Sequence, residues 1–93
     1  MSQSVIESTG FTNLTASALV RGAQGKLLGI FVASTSSGTI KLWDNTAASG
    51  TVIVNTFSPT AGVFYPLPAN FTTGLYITIG GTLDCTVFWE PVL

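Results

Sequence analysis

The side chains that could perform acid–base or nucleophilic chemistry are few in this 93-residue chain, which has four carboxylates, one cysteine and no histidine. Serine and cysteine nucleophiles commonly depend on a histidine as general base, so Ser-His-Asp and Cys-His sites are excluded. A pair of carboxylates for glycoside hydrolysis could come only from Glu7, Asp44, Asp84 and Glu90. We therefore predict that the protein is not an enzyme and uses no cofactor.

The same groups have ordinary structural interpretations. Asp44 and Asp84 stand at the ends of predicted strands, where an aspartate commonly caps a turn. The loop over residues 44–50 offers one carboxylate, whereas a calcium site uses several clustered oxygen ligands, so no metal site is expected. Cys85 falls on an apolar face of its strand, which indicates a buried and unreactive thiol.

The composition favours association with other proteins. Hydrophobic residues make up 46% of the chain and charged residues only 8%, whereas about 25% of an ordinary soluble domain is charged. Such a chain has more apolar surface than a small monomer hides, and burial between subunits is the simplest explanation. The net charge of −1 without a basic cluster argues against nucleic acid as a partner. No stretch approaches the roughly 20 apolar residues of a membrane-spanning helix, so no membrane partner is expected.

Alternating apolar and polar residues, interrupted by clusters of Gly, Pro, Asn and Ser, predict an all-β fold of antiparallel strands. We expect strands near Val5–Glu7, Leu14–Arg21, Lys26–Ser34, Thr39–Asp44, Thr51–Phe57, Val63–Leu67, Leu75–Ile79 and Asp84–Glu90. This number of strands fits a small antiparallel sandwich. We assign residues 1–10 to an N-terminal arm and residues 11–93 to a single β-sandwich domain.

Glycine and proline indicate where strands end and which strand lies at an edge. Thr35–Gly38 is interpreted as a tight turn, and Gly80–Leu83 as the turn of the last hairpin. Pro66 and Pro68 cannot donate a backbone hydrogen bond to a neighbouring strand. The segment Val63–Leu67 is therefore expected to be an edge strand or an extended loop.

Three aromatic residues are predicted to point away from the core. Trp43, Tyr76 and Phe88 alternate with the apolar positions of their strands and so fall on the opposite face. They could be anchors in a protein interface, a platform on which sugar rings stack, or rings covered by another part of the same subunit. We favour the interface, because the chain has few charges and the centres of interfaces are depleted of charge.

The predicted strand 26–34 is apolar on both faces. Alternation places Leu27 and Phe31 on one face, and Leu28, Ile30 and Val32 on the other. A strand at the centre of the fold or between subunits would have both of its apolar faces buried. Phe31 therefore joins the three outward aromatic residues as a candidate interface residue.

Four segments of the sequence resemble segments of known proteins: Gly38–Asp44 (GTIKLWD), Ala48–Thr51 (ASGT), Phe64–Leu67 (FYPL) and Gly74–Thr82 (GLYITIGGT). Together they resemble the small all-β virion proteins of tailed bacteriophages that decorate or cement the capsid. The likeness extends over residues 26–89. Its motifs are strand and turn signatures, and none of them contains an active site.

The resemblance implies a jelly-roll-like sandwich, subunits grouped as homotrimers, and a location on the outer surface of the capsid. The implied function is that of a non-enzymatic decoration or cement protein, which bridges major capsid subunits and reinforces the shell. A trimer with three weak contacts would gain avidity without any single tight site. A carbohydrate- or receptor-contacting module of a phage fibre is the alternative.

Overall fold

The computed structural model describes residues 10–91 and consists of six β-strands. The strands are β1 (Gly10–Leu14), β2 (Ala18–Arg21), β3 (Gly25–Asp44), β4 (Thr51–Phe57), β5 (Val63–Phe71) and β6 (Leu75–Pro91). All of their pairings are antiparallel, which confirms the predicted all-β class. The predicted strand Val5–Glu7 and the predicted arm, apart from Gly10 in β1, lie outside the described residues. Between residues 10 and 91 there is no helix that could span a membrane.

The two longest strands, β3 and β6, were each predicted as two shorter strands joined by a tight turn, and that prediction is wrong. At Thr35–Gly38 and Gly80–Leu83 the two strands stay paired with each other, and the register shifts by a β-bulge. Ser37 and Gly81 have positive φ angles of 57° and 68° at this point. A Cβ at position 81 would meet the carbonyl oxygen of Ser37, so only glycine fits there. These residues bend a continuous strand pair instead of reversing the chain.

The bend folds the β3–β6 pair back on itself. A straight strand of 20 residues, the length of β3, would extend about 66 Å, yet the longest dimension of the molecule is 46 Å. The first half of β3 pairs with β5 and its second half with β4, while the second half of β6 pairs with β1 and its first half with β2. The result is two layers, which we call the first layer (β1-β6-β3-β5) and the second layer (β2-β6-β3-β4).

The dimensions and contacts agree with two packed layers. The shortest dimension is 17 Å, which suits two sheets about 10 Å apart. At the end away from the bend, the guanidinium of Arg21 in the second layer lies 5.7 Å from the ring centroid of Trp89 in the first layer. The predicted small antiparallel sandwich is thus confirmed.

The edge-strand alternative for Val63–Leu67 agrees with the structure, and a bulge in the neighbouring strand β3 changes the faces of that strand. Among the strands between residues 10 and 91, β5 pairs only with β3, and Pro66 lies opposite Gly29. A bulge between Leu27 and Gly29 shifts the alternation by one residue. Leu27 therefore joins Ile30 in the core and Leu28 lies on the outer side with Phe31, which corrects the predicted faces of this strand.

The core lies between the layers and draws apolar side chains from both. Its buried members are Leu14, Leu27, Ile30, Val32, Ile40, Leu42, Phe71, Leu75, Ile77, Leu83, Cys85 and Val87. In β6 and in the second half of β3 they follow the predicted alternation. Because the inner faces are filled in this way, the side chains available for binding are those on the two outer faces.

Candidate functional surfaces

The structure separates the two aspartates that the sequence offered as a carboxylate pair. Asp44 ends β3 at the end of the sandwich away from the bend. Asp84 lies beside the bend, opposite Ser34, and accepts a hydrogen bond from Asn13 Nδ2 at 2.8 Å. Within residues 10–91 no three His, Cys, Asp or Glu side chains cluster as metal ligands would.

Asp44 caps the connection between β5 and β6. Its carboxylate accepts hydrogen bonds from the backbone N–H groups of Thr72 at 3.1 Å, Thr73 at 2.9 Å and Gly74 at 3.4 Å, and from the Thr72 hydroxyl at 3.3 Å. Partial burial raises the pKa of Asp44, but these hydrogen bonds outweigh burial and hold the pKa below its ordinary value. The carboxylate is therefore ionised at neutral pH and serves as a cap.

This cap joins the two layers at their open end. Phe71, the last residue of β5, pairs with Gly25 in the first layer. Leu75, the first residue of β6, pairs with Arg21 in the second layer. The three residues between Phe71 and Leu75 cross from one layer to the other, and Asp44 binds all three of them. The turn-capping interpretation is thus confirmed for Asp44. It is wrong for Asp84, which lies within β6 and not at a strand end.

Cys85 has the environment of a structural thiol. Its side chain is fully buried in the core. Burial, together with the negative charge of Asp84, raises the pKa of the thiol to about 11. Because the thiolate is the reactive form, Cys85 is protonated and unreactive in the folded protein at neutral pH.

The outer face of the first layer carries an apolar groove of about 460 Å³. It is lined by Leu28 and Phe31 from β3, Phe64 from β5 and Phe88 from β6. The rings of Phe64 and Phe88 meet edge to face, with their centroids 6.0 Å apart. Beside the groove stands Phe11 of β1, which lies opposite Phe88 and is 73% exposed. We call these five residues the groove surface.

Sequence reasoning found two members of the groove surface, Phe31 and Phe88, and missed the other three. Leu28 was assigned to the other face because the bulge beside it has no clear sequence signal. Phe64 lies in β5, whose prolines indicate an edge strand but do not indicate which of its faces is buried. Phe11 lies in β1, which begins four residues before the strand predicted there. Alternation within β5 was the signal that could have found Phe64.

The outer face of the second layer carries the other two predicted residues. Trp43 and Tyr76 lie opposite each other on β3 and β6, and both are half-buried. The indole N–H of Trp43 donates a hydrogen bond to Thr78 Oγ1 at 3.0 Å. The Lys41 ammonium lies 4.3 Å from the centroid of the Trp43 ring. We call these four residues the tryptophan surface; its indole ring is held in place by Thr78 and Lys41.

The four predicted interface residues therefore do not form one site. Phe31 and Phe88 share the groove surface, whereas Trp43 and Tyr76 share the tryptophan surface on the opposite side of the sandwich. Each pair places aromatic rings on the outer face of a β-sheet layer. The geometry of both surfaces is suited to binding by contact.

No protein-family model, curated protein or solved structure shows significant similarity to this chain. The resemblance to capsid decoration proteins accordingly depends on the sequence segments quoted above.

Proposed function

We propose that this protein is a non-enzymatic structural subunit of a virion, a capsid decoration protein that binds major capsid subunits and its own copies. The observation that supports this function best is the presence of apolar side chains on both outer faces of a thin sandwich. Phe11, Phe31 and Phe64 are exposed on the first layer, and Leu19 and Val52 on the second. Small monomers rarely expose large apolar patches, so both faces are expected to have protein neighbours.

The two surfaces suit different neighbours. The tryptophan surface presents an indole and a phenol, two side chains that are enriched among the anchors of protein interfaces, with a Lys ammonium beside the indole. We assign this surface to the major capsid protein. The groove surface is entirely apolar.

The proposed mechanism is multivalent reinforcement of the shell. The resemblance implies three subunits per assembly, and each would present one tryptophan surface to the capsid lattice. Three modest contacts that bind together give much higher avidity than one, because the second and third contacts form at a high effective concentration. A bridge of this kind resists separation of the capsid subunits it touches.

Carbohydrate binding by a phage fibre is the competing function. Sugar rings stack on the open faces of aromatic side chains. In the tryptophan surface the Lys41 ammonium lies over the Trp43 ring, and the indole N–H already has Thr78 as its acceptor. This arrangement leaves less of the ring available to a sugar, and we therefore favour a protein partner.

The test is to add the purified protein to assembled heads that lack it, and separately to a panel of immobilised glycans. We expect saturable binding to heads and none to glycans. Trp43→Ala should weaken head binding about thirtyfold, the effect of an interface anchor worth about 2 kcal/mol. Tyr76→Phe retains the ring and should bind nearly as well as the wild type. Glycan binding that is lost in Trp43→Ala would replace the capsid function with the fibre function.

A further inference from the structure

We propose that the groove surface binds a second copy of this chain, with Phe11 of one subunit inserted into the groove of its neighbour. The inference builds on the proposed function as a self-associating structural subunit, and it names the surface that makes the contact. The occupant follows from the shape, the area and the charge of the surface.

The groove surface carries both halves of one contact. Phe11 of β1 is 73% exposed and stands next to a shallow, open groove lined by apolar side chains. The groove, at about 460 Å³, has room for a phenylalanine side chain. A ring placed there would extend the edge-to-face pair of Phe64 and Phe88, since aromatic rings favour centroid separations of about 4.5–7 Å. Two copies of the chain can therefore complement each other, because each supplies a projecting ring and a groove.

The apolar area fits the centre of a protein interface. Phe11, Phe31 and Phe64 are 73%, 38% and 47% exposed, which corresponds to roughly 300 Å² of apolar surface from these rings alone. A standard interface covers about 800 Å² on each partner, with an apolar centre and a polar rim. The molecule is 46 Å by 29 Å in its two larger dimensions, so its outer face can provide that rim.

The charged groups of this face lie where a rim would lie. Lys26 and Glu90 are opposite each other near one end of the first layer, and Asp84 lies beside the bend at the other end. None of the five residues of the groove surface is ionisable. One basic and two acidic side chains do not make the cationic surface that anionic lipids attract, so the arrangement favours a protein over a membrane.

The experiment is sedimentation velocity of the full chain over a wide concentration series, with Phe11→Ser, Phe64→Ser and Leu19→Ser as variants. Leu19 is the matched control, because it is 46% exposed, against 47% for Phe64, and lies on β2 in the other layer. The wild type and Leu19→Ser should associate equally. Phe11→Ser and Phe64→Ser should lose at least about thirtyfold in association constant, as expected for a central anchor.

Folding is checked by circular dichroism. If Phe64→Ser unfolds, the self-contact is judged from Phe11→Ser alone, because Phe11 is the more exposed of the two residues. A wild type that stays monomeric, or a Phe11→Ser variant that associates as well as the wild type, would overturn the self-contact. Head binding distinguishes the two proposals: a monomer that still binds heads removes only the self-contact. A protein that associates through Phe11 but never binds heads removes only the capsid function.

Discussion

Replacing Asp44 tests the most specific structural feature of this fold, the cap that joins the layers at their open end. Asp44→Ala removes the acceptor of three backbone N–H groups and one hydroxyl. A hydrogen bond to a charged group contributes roughly 1.5–3 kcal/mol, but water can replace the carboxylate where donors are exposed. Thr72 and Thr73 are exposed, so we expect a total loss of about 2–3 kcal/mol. For a domain of this size that corresponds to a fall in Tm of roughly 10–20 °C.

The assay is thermal and urea unfolding at one fixed protein concentration, since association would otherwise change the apparent stability. Asp44→Asn keeps one acceptor oxygen and should lose about half as much as Asp44→Ala. The lowered pKa of Asp44 means that its stabilising contribution is present above the unfolded-state value near 3.8 and is lost as the pH falls through the folded-state value. The difference between wild type and Asp44→Asn should therefore shrink below pH 3.8.

Asp84→Asn is the matched control for this prediction. Asp84 accepts a single side-chain hydrogen bond from exposed Asn13, and an asparagine oxygen can accept the same bond. We expect a change within about 0.5 kcal/mol. If Asp44→Ala were as stable as Asp84→Asn, the cap would not hold the open end of the sandwich and the reasoning would be refuted.

Three further predictions follow from the core, the bend and the tryptophan surface. The thiol of Cys85 should react with labelling reagents only on unfolding, and rapid labelling of the native protein would contradict this. Because the pKa of the thiol is raised in the folded state, the free energy of unfolding should fall by about 2–3 kcal/mol as the pH rises from 9 to about 11. In urea unfolding, Gly81→Ala should destabilise the protein by about 1–3 kcal/mol. The loss should exceed that of Gly62→Ala, because Gly62 has a similar φ angle but no atom within 4 Å of an added Cβ. Equal losses for the two variants would remove the steric explanation. Trp43→Ala should keep the β-rich circular dichroism spectrum while head binding weakens, whereas unfolding would show that the ring supports the core.

Much of the architecture could be predicted from local patterns. Period-2 alternation in Thr39–Asp44 and in Leu75–Ile79 correctly separated core side chains from outward ones, because both segments have regular pairing. Pro66 and Pro68 correctly placed their strand at an edge, since a missing N–H is a local property. These features do not depend on distant parts of the chain.

The bend could not be predicted because its residues are also those of a tight turn. Thr35–Gly38 and Gly80–Leu83 supply small side chains and positive φ angles, which both a hairpin and a bulge require. The choice between them depends on whether β3 and β6 stay paired on both sides, and that is a long-range property. One consequence was that β3 and β6 were each divided into two strands.

The candidate surfaces were only half predictable for the same reason. The bulge next to Leu28 shifts the alternation by one residue, so a pattern applied across it assigns the wrong face. The meeting of Phe11, Phe64 and Phe88 depends on the pairing of β1 with β6 and of β5 with β3. Trp43 and Phe88 were both correctly placed outward, but only the folded layers show that they lie on opposite sides.

The most direct test of the central claim is electron microscopy of purified virions from cells that encode this chain. The capsid function predicts density for a sandwich of about 46 × 29 × 17 Å at regular positions on the outer surface of the head, with the tryptophan surface against the major capsid protein. Density confined to the tail or fibres, or heads that carry no such density, would contradict it.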